Sequence, residues 1–298
     1  MSVILKDALK KKRDSLSDSS ITTYSSVLYN LHKNLFGEEV DLDNFNKVEK
    51  IIDALKKLPP NKCKTTLSGL VVLTGNMHYR EAMLDKINAY NVEVKTQEKS
   101  EKQKLAWVSK DEIEKKYKDL KTDAEALYKK SKLSIDDLQN IQQYIILALM
   151  GGIFVVPRRS EYVKVKINAI DKKIDNYIEK NSFVFNSYKT SNFYGTQTLA
   201  IPPTLMKILK KWLSVNPTDY LLFDNNYNKL NNITFNQRIN RIFEGKKVGI
   251  NGLRHTYLTY KHGDIIEKDA EIASDLKKMG SSMSQKQVYI KKDKEINV

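Results

Sequence analysis

Two short stretches late in the chain carry residue types suited to phosphate chemistry. In Gly249-Ile-Asn-Gly-Leu-Arg-His-Thr-Tyr257, Arg254 follows a glycine-punctuated turn and starts an apolar-periodic run through Leu253, Tyr257 and Leu258. A guanidinium donates two parallel hydrogen bonds to a phosphate, and a helix N-terminus adds backbone N–H groups. In Gln287-Val-Tyr289 a tyrosine stands among lysines, and its hydroxyl is a candidate nucleophile toward a phosphate held by that arginine. Upstream lie Arg158, in Arg158-Arg-Ser-Glu161, and Lys189, in the polar stretch Tyr188-Lys-Thr-Ser-Asn-Phe-Tyr-Gly195.

The elements that must position these residues follow from hydrophobic period and from caps. Residues 1–92 read as helical. Ser17 and Asp18 open a helix through Ile21, Tyr24, Leu28, Leu31 and Leu35, and Gly37 closes it. A second helix carries Val48, Ile51, Ile52 and Leu55 and stops before Pro59-Pro60. A third runs from Asn61 to Gly75 and a fourth from His78 to Tyr90, which makes a small four-helix bundle. Asn61, Thr65 and Thr66 suit either ordinary capping or a phosphate contact. Residues 93–105, rich in Glu, Lys, Gln and Ser, read as a linker.

A second domain, 106–298, opens with the capping box Ser109-x-x-Glu112 and a further helix start at Ser134. The alternation in Val163–Ile167 and the runs Phe183–Phe185 and Thr198–Ile201 read as strands, with Lys189 in the turn between the last two. Pro203 starts one helix, and another covers Thr234–Phe243. The fold class expected is mainly α with a small antiparallel β-sheet (α+β).

Composition narrows the partner. Fifty-one Lys and Arg against 36 Asp and Glu give a net charge of +15, which points to a polyanion, nucleic acid before membrane surface. A lysine-rich solvated surface is the plain alternative. One cysteine, Cys63, excludes an intramolecular disulfide and fits a reducing, intracellular compartment. Met1–Asp7 lacks the apolar run of a signal peptide, and Tyr144–Val156 is too short to span a bilayer. No cofactor and no metal are expected, nor a membrane or small-molecule partner.

The order Arg158, Lys189, Arg254, Tyr289, with the words around each, resembles the tyrosine recombinase (phage integrase) family. There the first arginine precedes Ser-Glu, a lysine sits in a β-hairpin turn, and the second arginine lies in a His-x-Leu-Arg-His-Thr phrase. The nucleophilic tyrosine follows a Gly-His-Ser-Ser phrase, here Gly280-Ser-Ser-Met283. The resemblance covers nearly the whole chain. It implies an N-terminal helical core-binding (DNA-clamp) domain and a catalytic domain acting on duplex DNA as a homo-tetramer, in a virus or mobile element.

The same resemblance implies roles. Arg158 and Arg254 stabilise the charge on a scissile phosphate, Tyr289 attacks to give a 3′-phosphotyrosyl link, and Lys189 protonates the leaving oxygen. Glu161 takes the supporting place three residues after the first arginine. Plain alternatives stand beside each: Arg159 as the ligand instead of Arg158, Lys189 as a solvated lysine, Glu161 as a helix N-terminal acid, Tyr289 as a core residue.

Two positions depart from the family pattern. Asn251 stands where the family has a histidine, so it can donate a hydrogen bond but cannot shuttle a proton near neutral pH. Ser281, or Gly280 by spacing counted back from Tyr289, stands where the family has a later histidine or tryptophan. His255, beside Arg254, is read as structural. A type IB topoisomerase-like enzyme, a catalytically impaired DNA-binding relative and a basic helical protein unrelated to DNA cleavage are the other readings.

Overall fold

The computed structural model describes residues 3–244 and 246–286. The chain divides between Glu98 and Lys99 into two compact units, each with its own buried core.

The first unit is all helical: α1 (Val3–Lys12), α2 (Asp18–Phe36), α3 (Val48–Lys56), α4 (Pro60–Thr74) and α5 (Met77–Lys95). Ser17 caps α2 by accepting the Ser20 N–H, and Gly37, at φ 102°, closes it as only glycine does at low cost. Leu28, Phe45, Ile51, Leu70 and Tyr79 are fully buried, as is the sole cysteine, Cys63, to within 2%. Buried polar atoms are paired: the Tyr79 hydroxyl donates to Phe45 O at 2.8 Å, and His32 bridges Gly37 O and the Asp41 N–H. The reading of four helices misses α1, whose inward residues are only Leu5 and Leu9 while Val3 and Ile4 face solvent. Helix α5 also runs past Tyr90 to Lys95, into the stretch expected as linker.

The second unit opens with the short helix α6 (Glu101–Leu105), also inside the expected linker, where Ser100 and Gln103 form a capping box. Then come α7 (Lys110–Leu127) and α8 (Ile135–Met150), begun by capping boxes at Ser109 and Ser134. Every residue from Tyr144 to Met150 is buried, so the end of α8 is the axis of the core. Among the described residues no helix is long and apolar enough to cross a membrane.

Four short strands follow: β1 (Val165–Lys166), β2 (Asn176–Glu179), β3 (Ser182–Phe185) and β4 (Gln197–Ala200), in sheet order 1-2-3-4. A four-residue helix, α9 (Ser191–Tyr194), sits between β3 and β4. β2–β3–β4 is antiparallel, but β1 joins β2 in parallel, so the sheet is mixed. Lys166 pairs with Asp175 at 2.9 Å, which ties the two ends of the connection that brings the chain back in the same direction. Lys180 and Asn181, both at positive φ, make the two-residue β2–β3 turn. The alternation at Val163–Ile167 yields only a two-residue strand, because Glu161–Lys164 forms a 3-10 turn that buries Tyr162 and Val163.

The unit closes with α10 (Pro203–Leu213), α11 (Asn232–Ile242), α12 (Ile250–His262) and α13 (Asp264–Lys278). Helix α13 has no counterpart in the reading of the sequence. It buries only Leu276 and ends at Gly280, φ 70°, in a Schellman turn: Gly280 N–H to Lys277 O, Ser281 N–H to Leu276 O.

Candidate functional site

Arg254 lies on α12, and three contacts fix that helix. Its N-cap is Gly249, which has no side chain to cap with; Asn236 of α11 supplies the missing acceptor, taking the Ile250 N–H at 3.1 Å. A Cβ on Gly249 would stand 2.7 Å from the same Asn236 oxygen, so a side chain there would push the capping amide aside. Within Arg254's own turn, the buried Thr256 hydroxyl donates to Val108 O at 2.6 Å, and Tyr257 packs against Gly152, where a Cβ would fall 2.5 Å from the ring. Arg254 itself occupies the second turn of α12 rather than its start. It therefore stands about one turn beyond the N-terminal N–H groups that the sequence placed beside it.

Arg158 is seated on the sheet. Its guanidinium lies 4.1 Å over the Phe185 ring and 5.3 Å from the Tyr188 ring centroid, and one terminal nitrogen donates to Gln197 Oε1 at 2.9 Å. Phe185 and Gln197 are cross-strand partners in β3 and β4, so register alone supplies both the ring and the amide. Arg158 Nε and Glu161 Oε2 face each other at 3.8 Å, and both are buried without a hydrogen-bond partner. The Tyr162 hydroxyl is likewise unpaired, and burial pushes it well above the usual phenol range while Arg158 opposes the shift.

Asn176 joins this arginine segment to the turn that bears Lys189. Fully buried, its side chain accepts the N–H groups of Asn186 and Ser187 and donates to Glu161 O and Ser187 O. The Tyr188 hydroxyl then pins the far side of the turn through Gly195 O at 2.8 Å. Lys189 projects from this turn, exposed.

Two adjoining cavities hold five of the residues singled out by the sequence, Arg158, Glu161, Lys189, Asn251 and Arg254. The smaller, about 270 Å³, is lined by Arg158, Arg159, Glu161, Tyr188, Gln197 and Arg254 among others. The larger, about 660 Å³, takes Lys189, Asn251, His255 and Arg159, with Lys102 and Lys247, and no carboxylate lines it. Arg254 donates to Asn251 Oδ1 at 3.2 Å, which links the two sets. Burial, and then the like charge of Arg159, hold the Arg254 guanidinium below its ordinary value, with Glu161 opposing. It stays charged, since a guanidinium deprotonates far above neutral pH.

Arg158 and Arg254 thus share one cavity, whereas Lys189 and Asn251 line the next. Ser281 lines neither; its backbone closes the end of α13. Tyr289 lies outside the described residues. The residues that hold the arginines, Gln197, Asn236 and Asn176, escaped the sequence reading, because each acts across strands or helices rather than within a local pattern. No cluster of three or more metal-ligating side chains occurs among the described residues.

No protein-family profile and no curated protein matches the sequence. Among solved structures, the chain is similar to XerA recombinase at 14% identity and a TM-score of 0.36, over 86% of this chain and 83% of that one. It is also similar to lambda integrase in dimers bound to a COC′ core site. One such structure has 14% identity and a TM-score of 0.46, over 86% of this chain and 69% of that one. A second, lambda integrase(75-356), has 15% identity and the same TM-score, over 87% and 90%. These neighbours are tyrosine recombinases.

Proposed function

We propose that the chain is a DNA recombinase or integrase of the tyrosine type, which cuts and rejoins duplex DNA through a covalent 3′-phosphotyrosyl intermediate. The observation that carries the reading is the single cavity lined by both Arg158 and Arg254, two guanidinium groups far apart in sequence. In an in-line displacement, negative charge develops on the non-bridging phosphate oxygens, and fixed cations there lower the barrier without reorganising. The Tyr289 oxygen forms the new P–O bond and releases its proton to solvent. The P–O5′ bond breaks, and Lys189 gives a proton to the departing oxygen. The Asn251 amide, its oxygen engaged by Arg254, keeps its N–H donors for a phosphate oxygen. The displaced bond's energy is stored in the link, so rejoining needs no nucleotide cofactor. Duplex DNA is the partner and a homo-tetramer on two duplexes the working assembly.

The test is to incubate the chain, in EDTA, with a pool of nicked duplexes of randomised sequence and to look for covalent protein–DNA complexes. We expect a band that Tyr289→Phe removes. Arg254→Ala should lower its rate of formation by about 10²–10³-fold while most duplex affinity remains, since many lysines contact phosphates. The second reading, a DNA-binding relative without cleavage, draws on Asn251 in place of an imidazole. Salt-sensitive duplex binding with no band from the wild-type chain would favour it.

A further inference from the structure

The two cavities meet at one side chain. Among the described residues, Arg159 alone lines both: on one side Arg158, Glu161 and Arg254, on the other Lys189, Asn251 and His255. Arg159 is exposed and makes no hydrogen bond or ion pair with any described residue. Its neighbour Arg158 is committed instead to Gln197, the Phe185 ring and the Glu161 side. Arg254 feels the like charge of Arg159. Two guanidinium groups held close, with the only nearby carboxylate on the Arg158 side, leave a charge excess that an anion would relieve.

We propose that Arg159 is a third phosphate-binding guanidinium, which grips the reacting phosphodiester together with Arg254 across the ridge between the two cavities. This rests on the recombinase reading and adds a residue to it. Its chemistry addresses what Asn251 lacks. An imidazolium at that place would bring a positive charge to a phosphate oxygen, and an amide brings none. A guanidinium one ridge away restores the charge and adds a two-pronged donor set that fits adjacent phosphate oxygens. It does so without a proton to give, so it stabilises charge and leaves proton delivery to Lys189.

The test uses the full chain with Arg159→Ala and Arg159→Lys. Each is titrated with a short duplex of mixed sequence over a series of salt concentrations, and each is followed for covalent capture of the nicked-duplex pool. For Arg159→Ala we expect the slope of log affinity against log salt to fall in magnitude by about 1, the loss of one phosphate contact. Capture should slow by about tenfold to a hundredfold. Arg159→Lys should keep the salt slope and recover only part of the rate, because a point charge replaces the fork.

An unchanged slope and an unchanged rate in Arg159→Ala, with Arg254→Ala still impaired, would overturn the proposal and leave the recombinase reading intact. A reduced slope with an unchanged rate would also overturn it, by placing Arg159 on a neighbouring phosphate. If the wild-type chain captures no DNA, the recombinase reading fails and the proposal falls with it, whatever the slope.

Discussion

Arg158 is held by shape as much as by charge. A planar guanidinium can stack on Phe185 while its edge reaches Gln197; an ammonium, a single point charge, cannot make both contacts in the same pose. Arg158→Lys is therefore expected to slow covalent capture by about a hundredfold even though the charge is kept. Gln197→Leu removes the edge contact alone, and a smaller loss, about tenfold, is expected with duplex affinity nearly unchanged. Single-turnover capture rates beside duplex titrations separate the two effects. A Gln197→Leu chain as fast as wild type would show that the ring and Glu161 suffice to orient Arg158. The 3.8 Å gap between Arg158 Nε and Glu161 Oε2 belongs to the same question. Glu161→Gln keeps the shape and removes the charge, so any loss of rate reports the carboxylate's electrostatic share.

Among the elements, α12 and the turn after β3 are set by amides borrowed from elsewhere. Asn236→Ala leaves α12 without a cap and is expected to cost about 1 kcal/mol in urea unfolding, with a fall in capture rate because Arg254 loses its fixed base. Asn176→Leu discards four hydrogen bonds in the interior and leaves their partners unpaired, for roughly 3 kcal/mol. At the start of α8, the Lys130 ammonium and then the Ser134 N–H hold the Asp137 carboxyl down to about 2. A depressed acid contributes stability above its unfolded value and loses it as pH falls through the folded one. The acid limb of an unfolding curve between about pH 4 and pH 2 should therefore be shallower in Asp137→Asn. These elements also show what could be read beforehand and what could not. The boxes at Ser109 and Ser134 are four-residue patterns, visible in one dimension. β2 is not, since Asn176-Tyr-Ile-Glu179 starts with a buried amide and its last two residues are only partly covered, so it shows no alternation. Helix α13 buries one leucine and offers no stripe to find. At the site, the arginines stood out by their neighbours in sequence, while Gln197 and Asn236 matter only through pairing and packing.

For the molecule as a whole, the division between Glu98 and Lys99 separates two cores that share none of the described residues, Leu28, Phe45 and Leu70 in one and Ile145, Trp212 and Phe235 in the other. Residues 99–298 expressed alone are expected to unfold cooperatively, and calorimetry of the full chain should resolve into two transitions. A single transition with coincident probes would count against independent units. The first unit also contains the sole sulfhydryl of the sequence. Cys63 is shut inside it, and burial raises its thiol above the ordinary value, so a disulfide reagent finds nothing to attack until that bundle opens. Labelling kinetics with such a reagent would thus clock the breathing of the N-terminal helices alone. A change in that clock on adding DNA would report ligand engagement by a part of the chain that bears none of the reacting groups.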